Sequence, residues 1–475
     1  MLPLNKVNTS AHLLAPHSTV RSLFKTNPLE LKKIWAHWLV NAYLSMLIFN
    51  FSVNTLHAQK LSYSQAIDSA LHFNKRIQSA SLGVQIQQEK HKEAIGMLLP
   101  QLTASADYKY FTDLPYNLMP QSAFGGPAGV FKEVQFGVPH NIQASVQLQV
   151  PLYQPQVWGA VRATSLAEEM SALQLSKTKE QVYLETANLY RQAQLIAYQK
   201  DITTKNLENA IKLEQLTQSV FDQGLAKETD WGQIQLQTAQ LRDVLLQLEQ
   251  AEKQMLSLLK IQLGWSDSRP LELDSELLPK TAATEAVQPT VDFRITEIQQ
   301  SLIRSELSTI QWSRLPSLSL FGSYGTTGFG NNESPNEFLN FYPLSFVGVK
   351  TQVNLFTGLS SVRKSSQKKI ELKQAQLMQE QLVDSQSAQL QQARFAYSLA
   401  QSQLKTAEQQ QDLAQSIYSQ TQLEFEQGVV SLRDVLLADS SLQKAQQSHI
   451  QQLVALVKAE LEIKLLSGNI LGDLQ

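Results

Sequence analysis

The chain has 475 residues, with 40 Lys and Arg against 42 Asp and Glu, a formal net charge of -2 and no cysteine. Such a balance leaves no basic footprint for nucleic acid and no polyacidic tail. The missing thiols exclude disulfides, thiolate metal centres, thiol catalysis and lipid anchorage on an N-terminal Cys, so stability has to come from packing and assembly.

Residues 1–58 read as an N-terminal extension and secretory signal. Lys32-Lys33 precede a mostly apolar run from Ile34 to Phe51, and a polar stretch ends in Leu56-His57-Ala58. A positive flank, an apolar segment and a small final residue predict cleavage, with mature protein starting near Gln59. A misassigned start codon explains the long lead before the basic pair; a retained signal anchor is the competing reading.

Beyond this, one pattern is written twice, which predicts a first repeat over 59–289 and a second over 290–475. In chain order, a helix near 62 to 97 runs into Leu99-Pro100-Gln101-Leu102. An alternating stretch follows over 102 to 110, then a Gly/Pro-rich loop, then a second alternating stretch ending in Val150-Pro151-Leu152-Tyr153. No proline falls between Pro155 and Pro270. Proline inside a helix costs about 3 kcal/mol, so this gap predicts a very long helix near 157 to 221, about 100 Å at 1.5 Å per residue, and a return helix near 227 to 263. In the return helix Leu241, Leu248 and Met255 recur every seven residues, as helix-on-helix packing requires. Between the two lies Phe221-Asp222-Gln223-Gly224-Leu225-Ala226.

The second half repeats the order: a helix near 291 to 313, then Leu315-Pro316-Ser317-Leu318, two alternating stretches ending in Val353-Asn354-Leu355-Phe356, a long helix, and a return helix near 431 to 466. Its turn is Phe425-Glu426-Gln427-Gly428-Val429-Val430.

Period-two alternation puts successive side chains on opposite faces of a strand. Leu102, Ala104, Ala106, Tyr108 and Tyr110 alternate with Thr103, Ser105, Asp107 and Lys109. Ile142, Ala144, Val146, Leu148, Val150 and Leu152 alternate with Gln143, Ser145, Gln147 and Gln149, and Val347, Val349, Val353 and Leu355 with Gly348, Lys350, Gln352 and Asn354. The stretch around Leu318, Leu320 and Tyr324 is weaker, because Phe321 sits on the polar side. Ten-residue strands, apolar on one face and polar on the other, with aromatic ends, match an outer-membrane barrel; a half-buried soluble sheet gives the same alternation. Tyr108, Tyr110, Phe111, Tyr153, Trp158, Tyr324, Phe341, Tyr342 and Phe356 would form the aromatic girdles. The predicted β-hairpins span 101–153 and 317–356. Four strands leave open edges that hydrocarbon cannot satisfy, so the chain must assemble. Two copies give a barrel filled by its own side chains; three give twelve strands and room for a channel.

With these features in hand, the sequence resembles the TolC-like outer membrane efflux proteins from about Leu61 to Leu466. The resemblance rests on Leu61-Ser62-Tyr63-Ser64-Gln65-Ala66, Leu98-Leu99-Pro100-Gln101-Leu102, Pro151-Leu152-Tyr153, Asn354-Leu355-Phe356-Thr357-Gly358 and the two Gln-Gly turns, in this order and duplicated. It implies an α+β membrane protein: four transmembrane strands and long coiled-coil helices per chain, assembled as a homotrimer with a 12-stranded β-barrel continued by a 12-helix periplasmic α-barrel. It implies a Gram-negative outer-membrane location and a passive exit channel of a tripartite efflux or type I secretion system. The implied partners are a periplasmic adaptor, an inner-membrane pump of RND or ABC type and outer-membrane lipid, with no cofactor. In the family the helix pairs meet at the turns furthest from the membrane, where the tunnel narrows and an adaptor docks.

The resemblance assigns the docking tip to Gly224, Leu225, Gly428 and Val429. It assigns the periplasmic aperture to Asp434, with Asp230 at the same offset after the first turn. Leu437 stands where some relatives carry a second acid, which permits an apolar layer beside a single Asp ring. Trp231 reads as interhelical packing. Four histidines follow the predicted cleavage site, His72, His91, His140 and His449, without metal-ligand spacing, and His140 near Ser145 reads as a loop residue rather than half of a catalytic pair. The alternative from another class is a secreted coiled-coil scaffold or adaptor without a channel.

Overall fold

Proline-free sequence becomes helix of unusual length. In the computed structural model, which describes residues 60–224, 227–274, 288–333, 340–468 and 470, α3 (Pro155–Asp222) runs for 68 residues and α6 (Ser360–Glu426) for 67. Each is followed by a return helix of 35 residues, α4 (Glu228–Gln262) and α7 (Leu432–Leu466). At 1.5 Å per residue the long helices extend about 100 Å. The predicted signal segment lies outside the described residues.

The helix predicted over 62 to 97 is two helices, α1 (Tyr63–Phe73) and α2 (Lys75–Gly96). The break is Asn74, which holds an extended backbone (φ -63°, ψ 129°), accepts from Arg76 N at 2.9 Å and donates to the Gln262 carbonyl at 2.9 Å. Across from it Gly264 takes φ +70°, and a Cβ there would come within 2.6 Å of the Phe73 carbonyl. The end of α4 therefore locks the break from nearly two hundred residues away. The helix α5 (Val291–Trp312) opens the second half, capped by Thr290.

Four strands, β1 (Gln101–Tyr110), β4 (His140–Tyr153), β5 (Ser317–Gly330) and β6 (Phe341–Gln352), form one antiparallel sheet in the order β1-β4-β5-β6. β1 and β6 are its outer strands. The loop between β1 and β4 carries a hairpin that the sequence reading missed, β2 (Tyr116–Pro120) paired with β3 (Phe131–Gln135). The alternation past Gln352 does not extend β6: Gln352 faces Ser317, the first residue of β5, so Val353 to Leu355 have no partner strand.

Buried apolar residues gather in separate clusters along the helices. One joins Leu61, Ala66, Ala70, Ile77, Val182, Tyr190, Leu259 and Leu263. There the Tyr190 hydroxyl donates to the Leu61 carbonyl at 2.7 Å, and Leu61 forms a parallel bridge with Leu273. Another, near the turns, takes Leu213 from α3, Ile234 from α4, Tyr418 from α6, and Leu432, Val435, Ala438 and Leu442 from α7. All four helices of the two hairpins thus share one core at that end. No described helix is long and apolar enough to cross a membrane.

Candidate functional site

Each helix pair reverses at a glycine. Gly224 and Gly428 both adopt φ +72°, left-handed backbone that costs other residues strain. At the second turn Gly428 N donates to the Phe425 carbonyl and Val429 N to the Glu424 carbonyl, both at 2.9 Å, the double closure that ends a helix through a left-handed residue. Space beside both glycines is open. Val429 projects from the turn with 70% of its surface exposed. Leu225 lies outside the described residues. Trp231 stacks on Phe221 with ring centroids 5.5 Å apart and planes 10° from parallel, so it packs between the arms of the first hairpin as predicted.

Asp434 does work that its position in the sequence did not announce. It is the third residue of α7, and its Oδ2 accepts from Ser431 N at 3.0 Å and from Ser431 Oγ at 2.6 Å, closing a capping box. Those hydrogen bonds, with Arg433 beside it, hold its carboxyl below the ordinary range. Asp434 and Leu437 are both exposed and, three residues apart, share one edge of α7. Asp230 is not in the same setting. It is half-buried and shares its helix face with Ile234, Thr238 and Leu241, all buried, and Lys227, which precedes α4, gives it no side-chain cap.

Missed from the sequence was Asp439, buried at 6% exposure. Gln237 of α4 and Gln443 of α7 both donate to its Oδ2, the latter at 2.6 Å. Burial pushes its carboxyl up to about 6, against the pull of these two amides. The signal was present: Leu432, Val435, Asp439, Leu442 and Gln446 follow the three-four spacing of one buried helix face.

The sheet has two chemically distinct faces, fixed by register. One row reads Leu102, Leu148, Gly322, Val347; the next on that face Ala104, Val146, Tyr324, Ser345; then Ala106, Ala144, Thr326, Pro343; then Tyr108, Ile142, Gly328, Phe341. No Asp, Glu, Lys or Arg stands in these rows. The opposite face carries Thr103, Gln147 and Ser323, then Asp107, Gln143 and Thr327, but turns aromatic toward β6, where Phe321 and Phe346 meet edge to face at 6.0 Å and Phe329 lies 5.9 Å from Tyr342. Two girdle expectations change accordingly. Tyr342 points to the mostly polar face, and Tyr324 sits mid-sheet instead of at an end.

His140 begins β4 and is not a loop residue; it is buried, with the Tyr108 hydroxyl 2.6 Å from its Nδ1. Ser145, five residues along, is on the other face and meets Ser105 at 3.2 Å, so the two cannot act as a catalytic pair. Among the described residues no cluster of His, Asp and Glu has the makings of a metal site.

Residues 284–469 match the family described as Outer membrane efflux protein. Over that stretch, the second repeat, the chain is similar to the outer membrane efflux proteins. Solved structures carry the same fold over 86% of this chain. They include the outer membrane protein VceC from Vibrio cholerae, 14% identical, covered over 96% of its length with a TM-score of 0.69. The Campylobacter jejuni CmeC outer membrane channel is 15% identical, covered over 85%, TM-score 0.67. The open state of the Neisseria gonorrhoeae MtrE outer membrane channel is 15% identical, covered over 89%, TM-score 0.67. No curated protein matches the sequence. The TolC-like resemblance stands, and with it a Gram-negative outer-membrane location with a periplasmic helical extension. Family and fold are those of channel proteins, and an efflux channel of the outer membrane is the function they support.

Proposed function

We propose that three copies of this chain close a twelve-stranded barrel and form the passive exit duct of a tripartite efflux or type I secretion system. The observation that carries this reading is the sheet. Its uncharged face suits hydrocarbon, and its outer strands β1 and β6 have no partner within the described chain. In lipid each open edge would leave backbone groups unsatisfied at several kcal/mol apiece, and only closure removes both. Pairing β6 of one copy with β1 of the next does so, and twelve strands leave a lumen.

The helical hairpins then cross the periplasm, and their glycine turns form the far tip. Exposed Val429 beside Gly428 suits a periplasmic adaptor, with Gly224 and Leu225 its counterparts on the first turn. Asp434 and Leu437, on one exposed edge of α7, form the aperture as a carboxylate layer with an apolar layer beside it. Asp230, half-buried, contributes less. Arg433 next to Asp434 weakens the field of the carboxylate ring, so cation preference at the aperture is modest. The pump, of RND or ABC type, supplies the energy.

Site-specific photo-crosslinking in cells from Val429 and Leu225, with mass spectrometry of the products, tests the docking. Capture of an adaptor supports the tripartite reading. Capture of nothing from the tip, alongside crosslinks from β1 to β6 of another copy, would leave the barrel standing and refute the docking. A chain released from membranes by carbonate would favour the scaffold reading.

A further inference from the structure

The contact between the two helical hairpins near their turns is polar where its surroundings are apolar. Asp439 lies on the buried face of α7 that also carries Val435 and Leu442, which cluster with Leu213, Ile234 and Tyr418, and it accepts from Gln237 on the return helix of the other hairpin. Further from the turns Asn206 of α3 donates to Gln446 of α7 at 2.8 Å, also between hairpins, but both groups are neutral at every pH. Of these two pairs, Asp439 is the group that titrates.

We propose that Asp439 and Gln237 form a proton-operated latch between the hairpins: protonated Asp439 keeps them packed, and ionised Asp439 favours their separation. This names a regulation of the duct and rests on that reading for its physiological meaning, though not for its test.

The sign follows from burial. A carboxylate in an apolar core has lost its water, and two amide donors replace only part of it. Released to solvent, the same group would return to the ordinary value of 3.8, whereas packed it titrates at about 6. The packed state therefore binds the proton more tightly, and by linkage acid favours packing. The stabilisation is fully present below about pH 4 and is lost as pH rises through about 6. A shift of about two units corresponds to roughly a hundredfold change in the packed-to-separated ratio per copy. The titratable group facing Asp439 is the Tyr418 hydroxyl of α6, itself pushed up to about 12 by burial and by the Asp439 charge. From α4 comes neutral Gln237 and from α7 neutral Gln443, while α3 gives the adjoining cluster the apolar Leu213. Asp434 and Arg433 lie at the exposed start of α7, away from this core.

The chain lacks cysteine, so Gln235→Cys and Ser440→Cys, both at exposed positions, allow spin labels to be attached to α4 and α7 of the full-length protein. Pulsed electron paramagnetic resonance from pH 4 to 8 reads the separation of the hairpins, and conductance in lipid bilayers is recorded on the same preparations. The expected result is a short distance in acid, a longer one above pH 6, and a short distance at all pH in Asp439→Asn. Gln237→Leu, which removes a donor to the ionised form, should move the midpoint upward, a shift that loss of packing alone would not produce. An identical pH response in the parent and Asp439→Asn, or none in the parent, overturns the latch. A pH-dependent distance without conductance at any pH would keep the latch and sink the duct; conductance without an Asp439-dependent response would do the reverse.

Discussion

Adjacent residues on β4 provide a sharp test of which sheet face meets lipid. Val146 lies mid-strand in the uncharged row with Ala104 and Tyr324, and Gln147 in the opposite row with Thr103 and Ser323. Both are exposed in the single chain, so neither substitution by arginine overpacks a core. On a lipid-facing barrel position near the bilayer midplane, Arg costs about 2–4 kcal/mol, and on the lumen side a polar exchange costs on the order of 0.5 kcal/mol or less. Val146→Arg should thus lower the folded-to-unfolded ratio about 30- to 700-fold per copy, at about 1.4 kcal/mol per tenfold, whereas Gln147→Arg should leave it nearly unchanged. Urea unfolding of the full chain refolded into lipid vesicles measures both, with the amount recovered in outer membranes as a second readout. Equal costs, or a larger cost for Gln147→Arg, would refute the assignment of the uncharged face to lipid.

Four further expectations concern the tip and the helix contacts. Asp434→Asn keeps an acceptor for Ser431 and should preserve amide-exchange protection in the first turn of α7 while reducing cation preference; Asp434→Ala should lose both, and loss of preference only in the Ala variant would make the residue a cap and nothing more. Because its carboxyl sits below the ordinary range, the preference should persist on acidification past the point where a typical exposed carboxylate is neutralised. Gly159→Ala places a Cβ against the Thr309 side chain, forcing α3 and α5 apart at about 1–3 kcal/mol in urea unfolding, and Thr309→Ser or Thr309→Ala should recover only part of the loss, because the Thr309 Cβ that both keep lies 2.7 Å away. Gly224→Ala and Gly428→Ala meet open space, so each should lose only the left-handed strain, about 1–2 kcal/mol, and a markedly unequal pair would show that the turns are held differently.

Much of the fold was legible because its determinants are local. A proline inside α3 or α6 would break it, so proline gaps mark those helices within a few residues, and alternation marks β1, β4 and much of β6 because one face is uncharged and mostly apolar. The break at Asn74 was hidden because it depends on the Gln262 carbonyl and on Gly264, remote in sequence. The β2–β3 hairpin was hidden because Tyr116, Leu118 and Phe131 are exposed, so no face shows a clean alternation. Tyr342 stands an odd number of residues from Val347, so the alternation itself, and not inter-strand register, put it on the face opposite the apolar row. At the tip, glycine conformation could be read from the repeated turns, and the cap was written as Ser431-x-x-Asp434 at the expected start of the return helix, whereas the burial of Asp439 required knowing what packs on α7.

The most direct test of the duct is conductance of the purified full-length protein in planar lipid bilayers. The account predicts stepwise channels, each from a trimer, whose open level is unchanged by added nucleotide. A protein that enters no bilayer, yields no steps and washes from membranes with carbonate would contradict it and leave a helical scaffold in its place.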